Sequence, residues 1–168
     1  MTEDRRDLLN VLSIPESRQF VPDLSAAGEA EVAAGYEQTI AAFFGASPSG
    51  PCPSFDLILL GIGEDGHTAS LFPGMPSLNE TRRWVVSTPP GTLPPPIDRI
   101  TFTYPLINAA RQVVFIASGT GKAAVLHELL DCNPSPLDKP AAGVKPASGN
   151  LLWLIDKPAS RLLTPGVY

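Results

Sequence analysis

The order of patterned segments predicts an α/β fold, a mostly parallel sheet flanked by helices. Three observations lead there. Residues 55–62 form an apolar run too continuous for a half-exposed strand; shorter apolar runs recur at 112–117 and 151–155; and helical spacing of apolar residues marks 25–44 and 121–130. Strand and helix in alternation place helices over the faces of a parallel sheet.

Arg5–Leu12 reads as a short helix. Ser25–Phe44 reads as a longer one, with Val32, Tyr36, Ile40 and Phe43 on one stripe. Ser25 suits its N-cap, and Glu29 and Glu31 favour the positive end of the helix dipole. The Pro-, Ser- and Gly-rich stretch Gly45–Pro53 is a connecting loop. Phe55–Ile62 then reads as a central strand buried on both faces. Arg83–Thr88 and Ile100–Tyr104 read as further strands, separated by Pro89–Pro96, whose prolines stiffen the chain and cannot join a ladder. Gln112–Ala117, Gly121–Leu130 and Leu151–Ile155 complete the alternation as strand, helix and strand. No repeat or second domain is evident, so residues 1–168 are expected to form a single α/β domain.

At 168 residues and 43% hydrophobic content, the chain is long enough to bury a core. A net charge of −5 argues against nonspecific binding to nucleic acid or to an anionic membrane, both of which require a basic surface. The charged Met1–Arg6 start is followed by no apolar signal core, and no run is long enough to span a bilayer, so a soluble cytoplasmic protein is expected. Cys52 and Cys132 stand alone and build neither a disulfide framework nor a metal motif. No metal or other cofactor is expected.

Chemistry concentrates where the 55–62 run ends. Gly61, Gly63 and Gly66 punctuate a turn that delivers Asp65 and His67 together at the carboxyl end of a strand, where open α/β sheets bind ligands. An imidazole titrates near neutral pH and can take a proton from water; a carboxylate two residues away can fix its tautomer. Backbone N–H groups of Gly63–Gly66 are candidate donors to a developing oxyanion. On the residues alone, Asp65-Gly66 reads equally well as a turn signal, and His67 as a structural histidine.

The stretch from Gly61 to Pro73 resembles the 6-phosphogluconolactonase signature G-x-G-x-D-G-H-T-A-S-L-F-P at Gly61, Gly63, Asp65, Gly66, His67, Thr68, Ala69, Ser70, Leu71, Phe72 and Pro73. Arg99–Arg111, Gly119–Ala123 and Pro146–Asp156 resemble the family's later blocks, in order. The resemblance implies a three-layer Rossmann-like fold and hydrolysis of a 6-phosphogluconolactone in the oxidative pentose phosphate pathway. It assigns catalysis to His67 with Asp65, and substrate binding to Gly63, Gly66, Arg99 and Lys122. Arginine grips phosphate oxygens in parallel pairs, and lysine at a helix start adds charge to outward N–H groups. Without the resemblance, Arg99 reads as a solvent-facing charge and Lys122 as an ordinary helix residue.

Gly119-Thr-Gly-Lys122 is no nucleotide P-loop, because Ile116 and Ala123 occupy positions that would need Gly and Ser or Thr. His127 and Trp153 read as a boundary residue and a packing residue. Two alternatives stand beside the lactonase. Glucosamine-6-phosphate deaminases share the D-G-H turn but carry a glutamate five residues after the histidine, where Phe72 stands here. A non-catalytic sugar-phosphate-binding module would bind without turnover.

The family pattern also includes an initial strand, a Ser-Gly-Gly-Ser-type phosphate loop and an Asp-Glu-Arg motif, none of which occurs in this sequence. The expectation is therefore an incomplete copy, whether a fragment lacking an N-terminal segment, a subunit completed by a partner chain or a degenerate paralogue, with a sheet edge and an apolar face left open.

Overall fold

The computed structural model describes residues 11–23, 28–48, 50–89, 98–147 and 149–165. The expected helix at Arg5–Leu12, the Ser25 cap and the proline loop fall largely or wholly outside these residues. The elements are α1 (Glu29–Phe44), β1 (Ile58–Leu60), β2 (Val85–Thr88), β3 (Arg99–Phe102), α2 (Tyr104–Asn108), β4 (Gln112–Ala117), α3 (Ala123–Asp131) and β5 (Asn150–Ile155).

The main sheet has three parallel strands in the order β1-β4-β5, with Leu60 beside Phe115 and Phe115 beside Trp153. Two strands depart from the expected single sheet. β2 and β3 form a separate antiparallel pair, Val85 opposite Phe102 and Thr88 opposite Arg99. An antiparallel pair needs only a loop between its strands, whereas parallel neighbours need a crossover.

β1 corrects a second expectation. It is shorter than 55–62 and lies at the edge of the described sheet, with Ile58 and Leu60 buried while Leu59 is 55% exposed. The apolar run did not alternate in sequence, but the strand alternates in burial because only one face of the sheet is covered within the described residues. Ile58, Leu60, Val113, Phe115 and Ala117 pack there with Val125 and Leu126 of α3. The Phe115 and Trp153 rings stack at 4.1 Å, so Trp153 packs the last strand as expected.

A second core lies between α1 and the antiparallel pair, built on Ala33, Ile40, Ala41, Trp84, Val85 and Leu106. Phe55 and Phe102 touch both cores. α1 starts after Gly28 and ends at Gly45, whose φ of 61° is the left-handed cap that glycine adopts without a Cβ clash. Its buried side is Val32, Ala33, Glu37, Ile40 and Ala41. Phe43, expected on that stripe, is instead 60% exposed and packs edge-on against Phe20 and Phe44. Among the described residues no helix is long and apolar enough to cross a membrane.

Candidate active site

The chain leaves β1 through Gly61-Ile62-Gly63 and closes a tight turn. Gly63 N–H donates to His67 O at 2.9 Å, and Gly66 N–H donates to Gly63 O at 3.0 Å. Gly66 takes φ 87°, a region L side chains avoid. Gly63 is required for a different reason: a Cβ there would overlap His67 Nδ1 and crowd Asp65 Oδ1. The paired side chains lie directly against this glycine.

Asp65 Oδ1 accepts the His67 main-chain N–H at 3.0 Å and meets His67 Nδ1 at 2.6 Å. A proton on Nδ1 then points at the carboxylate, leaving Nε2 as the nitrogen able to accept one. Burial alone would raise the Asp65 carboxyl. The main-chain N–H and ring bonds from His67, with the charge of that ring, outweigh it and hold Asp65 below the usual carboxylate range. Phe72 packs its ring on the imidazole, centroids 4.5 Å apart, giving it an apolar wall.

Neighbouring elements hold the turn from two sides. Thr68, 1% exposed, donates its hydroxyl to Gly61 O at 2.9 Å, and Ser70 N–H donates to Thr101 Oγ1 on β3 at 3.1 Å. Between them Ala69 sits at φ 50°, a conformation costing a non-glycine residue about 1 kcal/mol or more. On the other side Ala141 N–H donates to Gly66 O at 2.9 Å, and Lys139 lies across Gly66 while its Nζ pairs with Glu128 of α3 at 2.7 Å. The Tyr104 hydroxyl fastens the same segment through Pro140 O at 2.7 Å, and burial pushes its pKa up to about 12. Asn108 completes the clamp, donating to Gly143 O and accepting from Lys145 N–H.

Asp65 and His67 open onto a cleft of about 830 Å³ that runs beside β1. Lys122, Gly63 and Glu64 line it, as does Phe102 of β3. Lys122 closes the turn between β4 and α3, which starts at Gly119 with φ 87°. Both Asp156 oxygens accept Gly119 N–H at 3.0 Å, and Oδ1 also takes Ala159 N–H at 2.9 Å. Thus the acid at the end of β5 sets the backbone that presents Lys122.

The structure therefore brings together Gly63, Asp65, His67 and Lys122. Gly66 shapes the turn from behind. Arg99 stands at the start of β3 outside the cleft lining, with its Nε buried and no hydrogen-bond partner among the described residues. The Gly63 and Gly66 N–H groups are engaged within the turn. Their value is close approach. Sequence reasoning missed Glu64, which lines the cleft and rests its Oε1 against Gly121. It also assigned no role to Asp156, the acid that closes the Pro146–Asp156 block just after β5.

A carboxylate-oriented histidine and a lysine meet at the carboxyl ends of parallel strands, the place where α/β proteins bind their ligands. The family model for glucosamine-6-phosphate isomerases/6-phosphogluconolactonase matches residues 2–153, and the chain belongs to that family. It is 46% identical to human 6-phosphogluconolactonase over 163 residues, covering 95% of this chain and 60% of the relative. The Synechocystis 6-phosphogluconolactonase is 41% identical over 157 residues, with 94% and 63% covered. Among solved structures, 6-phosphogluconolactonase from Trypanosoma cruzi superposes with a TM-score of 0.78 at 30% identity, covering 95% of this chain and 64% of that one. The chain thus spans about three-fifths of the length of these relatives.

Proposed function

We propose that this chain carries the acid–base half of a 6-phosphogluconolactonase site, which hydrolyses 6-phospho-D-glucono-1,5-lactone to 6-phospho-D-gluconate. The Asp65–His67 pair facing the cleft carries this reading. Nε2 takes a proton from water as the water oxygen bonds to the lactone carbonyl carbon. The carbonyl oxygen becomes an oxyanion within reach of turn N–H groups. When the ring C–O bond breaks, the imidazolium returns the proton to the departing ring oxygen, leaving a free hydroxyl and a carboxylic acid that ionises. Asp65 holds the ring throughout and stabilises its charged form. Lys122 anchors the phosphate, with Arg99 as the second cation.

Phe72 supports hydrolysis over deamination, since an apolar ring lies on the imidazole where the deaminase pattern needs a proton-carrying glutamate. The names of the relatives support a place in the oxidative pentose phosphate pathway.

The test is hydrolysis of freshly generated lactone, corrected for spontaneous opening, with His67→Ala beside the unaltered chain. The expected loss is about 10²–10⁴-fold in kcat, with 6-phosphogluconate binding retained. Unchanged turnover in the variant would remove His67 from the mechanism, and binding without turnover in the unaltered chain would favour a sugar-phosphate-binding module.

A further inference from the structure

Glu64 stands between the two ends of the site. It precedes Asp65 in the turn after β1, lines the cleft with His67 and Lys122, and rests its Oε1 against Gly121, the residue before Lys122. β1 and β4 are neighbours in the sheet, so this side chain reaches from the carboxyl end of one strand to the turn that leaves the other.

The Glu64 carboxylate is exposed and has no neutralising partner. Its side chain takes no hydrogen bond or ion pair among the described residues, although Lys122 follows the glycine it touches. Asp65, by contrast, is committed to His67. An unpaired carboxylate opposes the entry of an anion, and most strongly where apolar walls lower the local dielectric. Ile58, Leu60, Ile62 and Phe102 supply such walls here. A ligand that brings hydrogen-bond donors offsets this repulsion, because an ionised carboxylate is acceptor-only and its hydrogen bonds from hydroxyl groups are charge-assisted.

We propose that Glu64 is a specificity-determining residue that accepts hydrogen bonds from the hydroxyl groups in the middle of the substrate, an inference that rests on the lactonase reading of the cleft. With the ester carbonyl at His67 and the phosphate at Lys122, the carbons between them pass the side chain that lies between those two residues. In a 6-phosphoglucono-1,5-lactone these are the carbons that bear free hydroxyls, the remaining chain oxygen being tied up in the ester. The same carboxylate repels a phosphate that arrives without hydroxyls. Lys122, a point charge, does not tell such a phosphate from the substrate, whereas Glu64 discriminates against it.

The test is calorimetric titration of the 168-residue chain with two phosphate monoesters of equal chain length, D-glucitol 6-phosphate, which carries hydroxyls, and n-hexyl phosphate, which carries none. In Glu64→Ala the glucitol ester should bind about tenfold or more weakly, through loss of charge-assisted bonds, while hexyl phosphate should bind about twofold or more tightly because the repulsion is gone. Glu64→Gln keeps an acceptor oxygen without the charge, so it should tighten hexyl phosphate to the same degree and recover part of the glucitol affinity. Opposite signs for the two ligands are what a merely structural role does not give, since damage to the turn weakens both. Changes of the same sign in both ligands, no change in either, or an unaltered chain without preference for the glucitol ester would overturn the proposal. Neither ligand contains a lactone, so the result is read apart from turnover. Hydrolysis that depends on His67 with no Glu64 effect keeps the reaction and removes Glu64 from specificity; the Glu64 signature without hydrolysis keeps the hydroxyl recognition and removes the reaction.

Discussion

Asp65 and His67 are joined twice by one oxygen: Oδ1 receives the His67 main-chain N–H at 3.0 Å and faces Nδ1 at 2.6 Å. The carboxylate therefore fixes both the backbone that carries the ring and the rotation of the ring, and a change at Asp65 acts on geometry and tautomer together.

Asp65→Asn should lower kcat by about 10²–10⁴-fold with little change in KM, since the amide can turn its NH₂ toward Nδ1 and stabilise the wrong tautomer. Steady-state lactone hydrolysis checks it. The depressed carboxyl also sets a pH sign. The stability Asp65 contributes is present above the unfolded value of about 3.9 and is lost as pH falls through the lower folded value. Urea midpoints between pH 5 and pH 2, roughly the carboxylate range, should fall less steeply in Asp65→Asn than in the unaltered chain. Equal slopes would show that the pair is unimportant to folding.

Gly63→Ala should leave the fold intact and disable the site. The added Cβ overlaps His67 Nδ1 and crowds Asp65 Oδ1, so the pair must separate or the turn must shift. A shift of about 1 Å in a catalytic group typically costs on the order of 10²-fold in rate. A kinetic assay with a parallel thermal melt separates loss of activity from loss of structure, and full activity would mean the dyad adjusts freely.

Much of this site was legible in the glycine-punctuated turn. Gly61, Gly63 and Gly66 around Asp65 and His67 gave the position of the pair at the end of a strand, and the strands at 112–117 and 151–155 were read to within a residue. What escaped was nonlocal. Burial on both faces was inferred for 55–62 because an apolar run carries no record of whether its second face has a partner; here Leu57 and Leu59 have none among the described residues. The separation of β2 and β3 from the main sheet depends on strand direction, which their short apolar runs do not encode. Asp156 acts 37 residues away in sequence on Gly119, a bond no local pattern announces.

Lys122→Ala should raise KM for the lactone by about 10-fold or more while kcat changes little, in keeping with about 1.5–3 kcal/mol for a charge-assisted bond to phosphate. Arg99→Ala should move KM the same way by less, because its side chain lies outside the cleft lining. A titration with 6-phosphogluconate provides a binding readout free of chemistry. An unchanged dissociation constant in either variant would strike that residue from the phosphate site.

Glu80 predicts an acid limb of stability remote from the site. Burial opposes its ionisation, but the N–H groups of Arg82 and Arg83 and the Arg83 guanidinium prevail and hold its pKa at about 2. The unfolded carboxyl, near about 4.3, takes up its proton first as pH falls, so the contribution is full above that value and disappears toward pH 2. Glu80→Gln should flatten this part of the urea midpoint profile; an identical profile would mean that solvent screening leaves the interaction without effect on folding.

Glu37 yields the clearest test of what holds α1 to the antiparallel pair. Only 8% exposed, it projects from the helix and accepts Trp84 N–H at 2.7 Å and Val85 N–H at 2.9 Å through Oε2. These donors open β2, so a side chain serves there where a neighbouring strand would otherwise serve. Glu37→Ala strands two buried N–H groups at about 1–3 kcal/mol each and should cost about 2–5 kcal/mol in urea unfolding. Glu37→Gln keeps a carbonyl oxygen in place and should recover more than half of that loss. If alanine costs no more than glutamine, water has entered to satisfy both donors, and the helix is held by Ile40, Ala41 and their apolar neighbours alone.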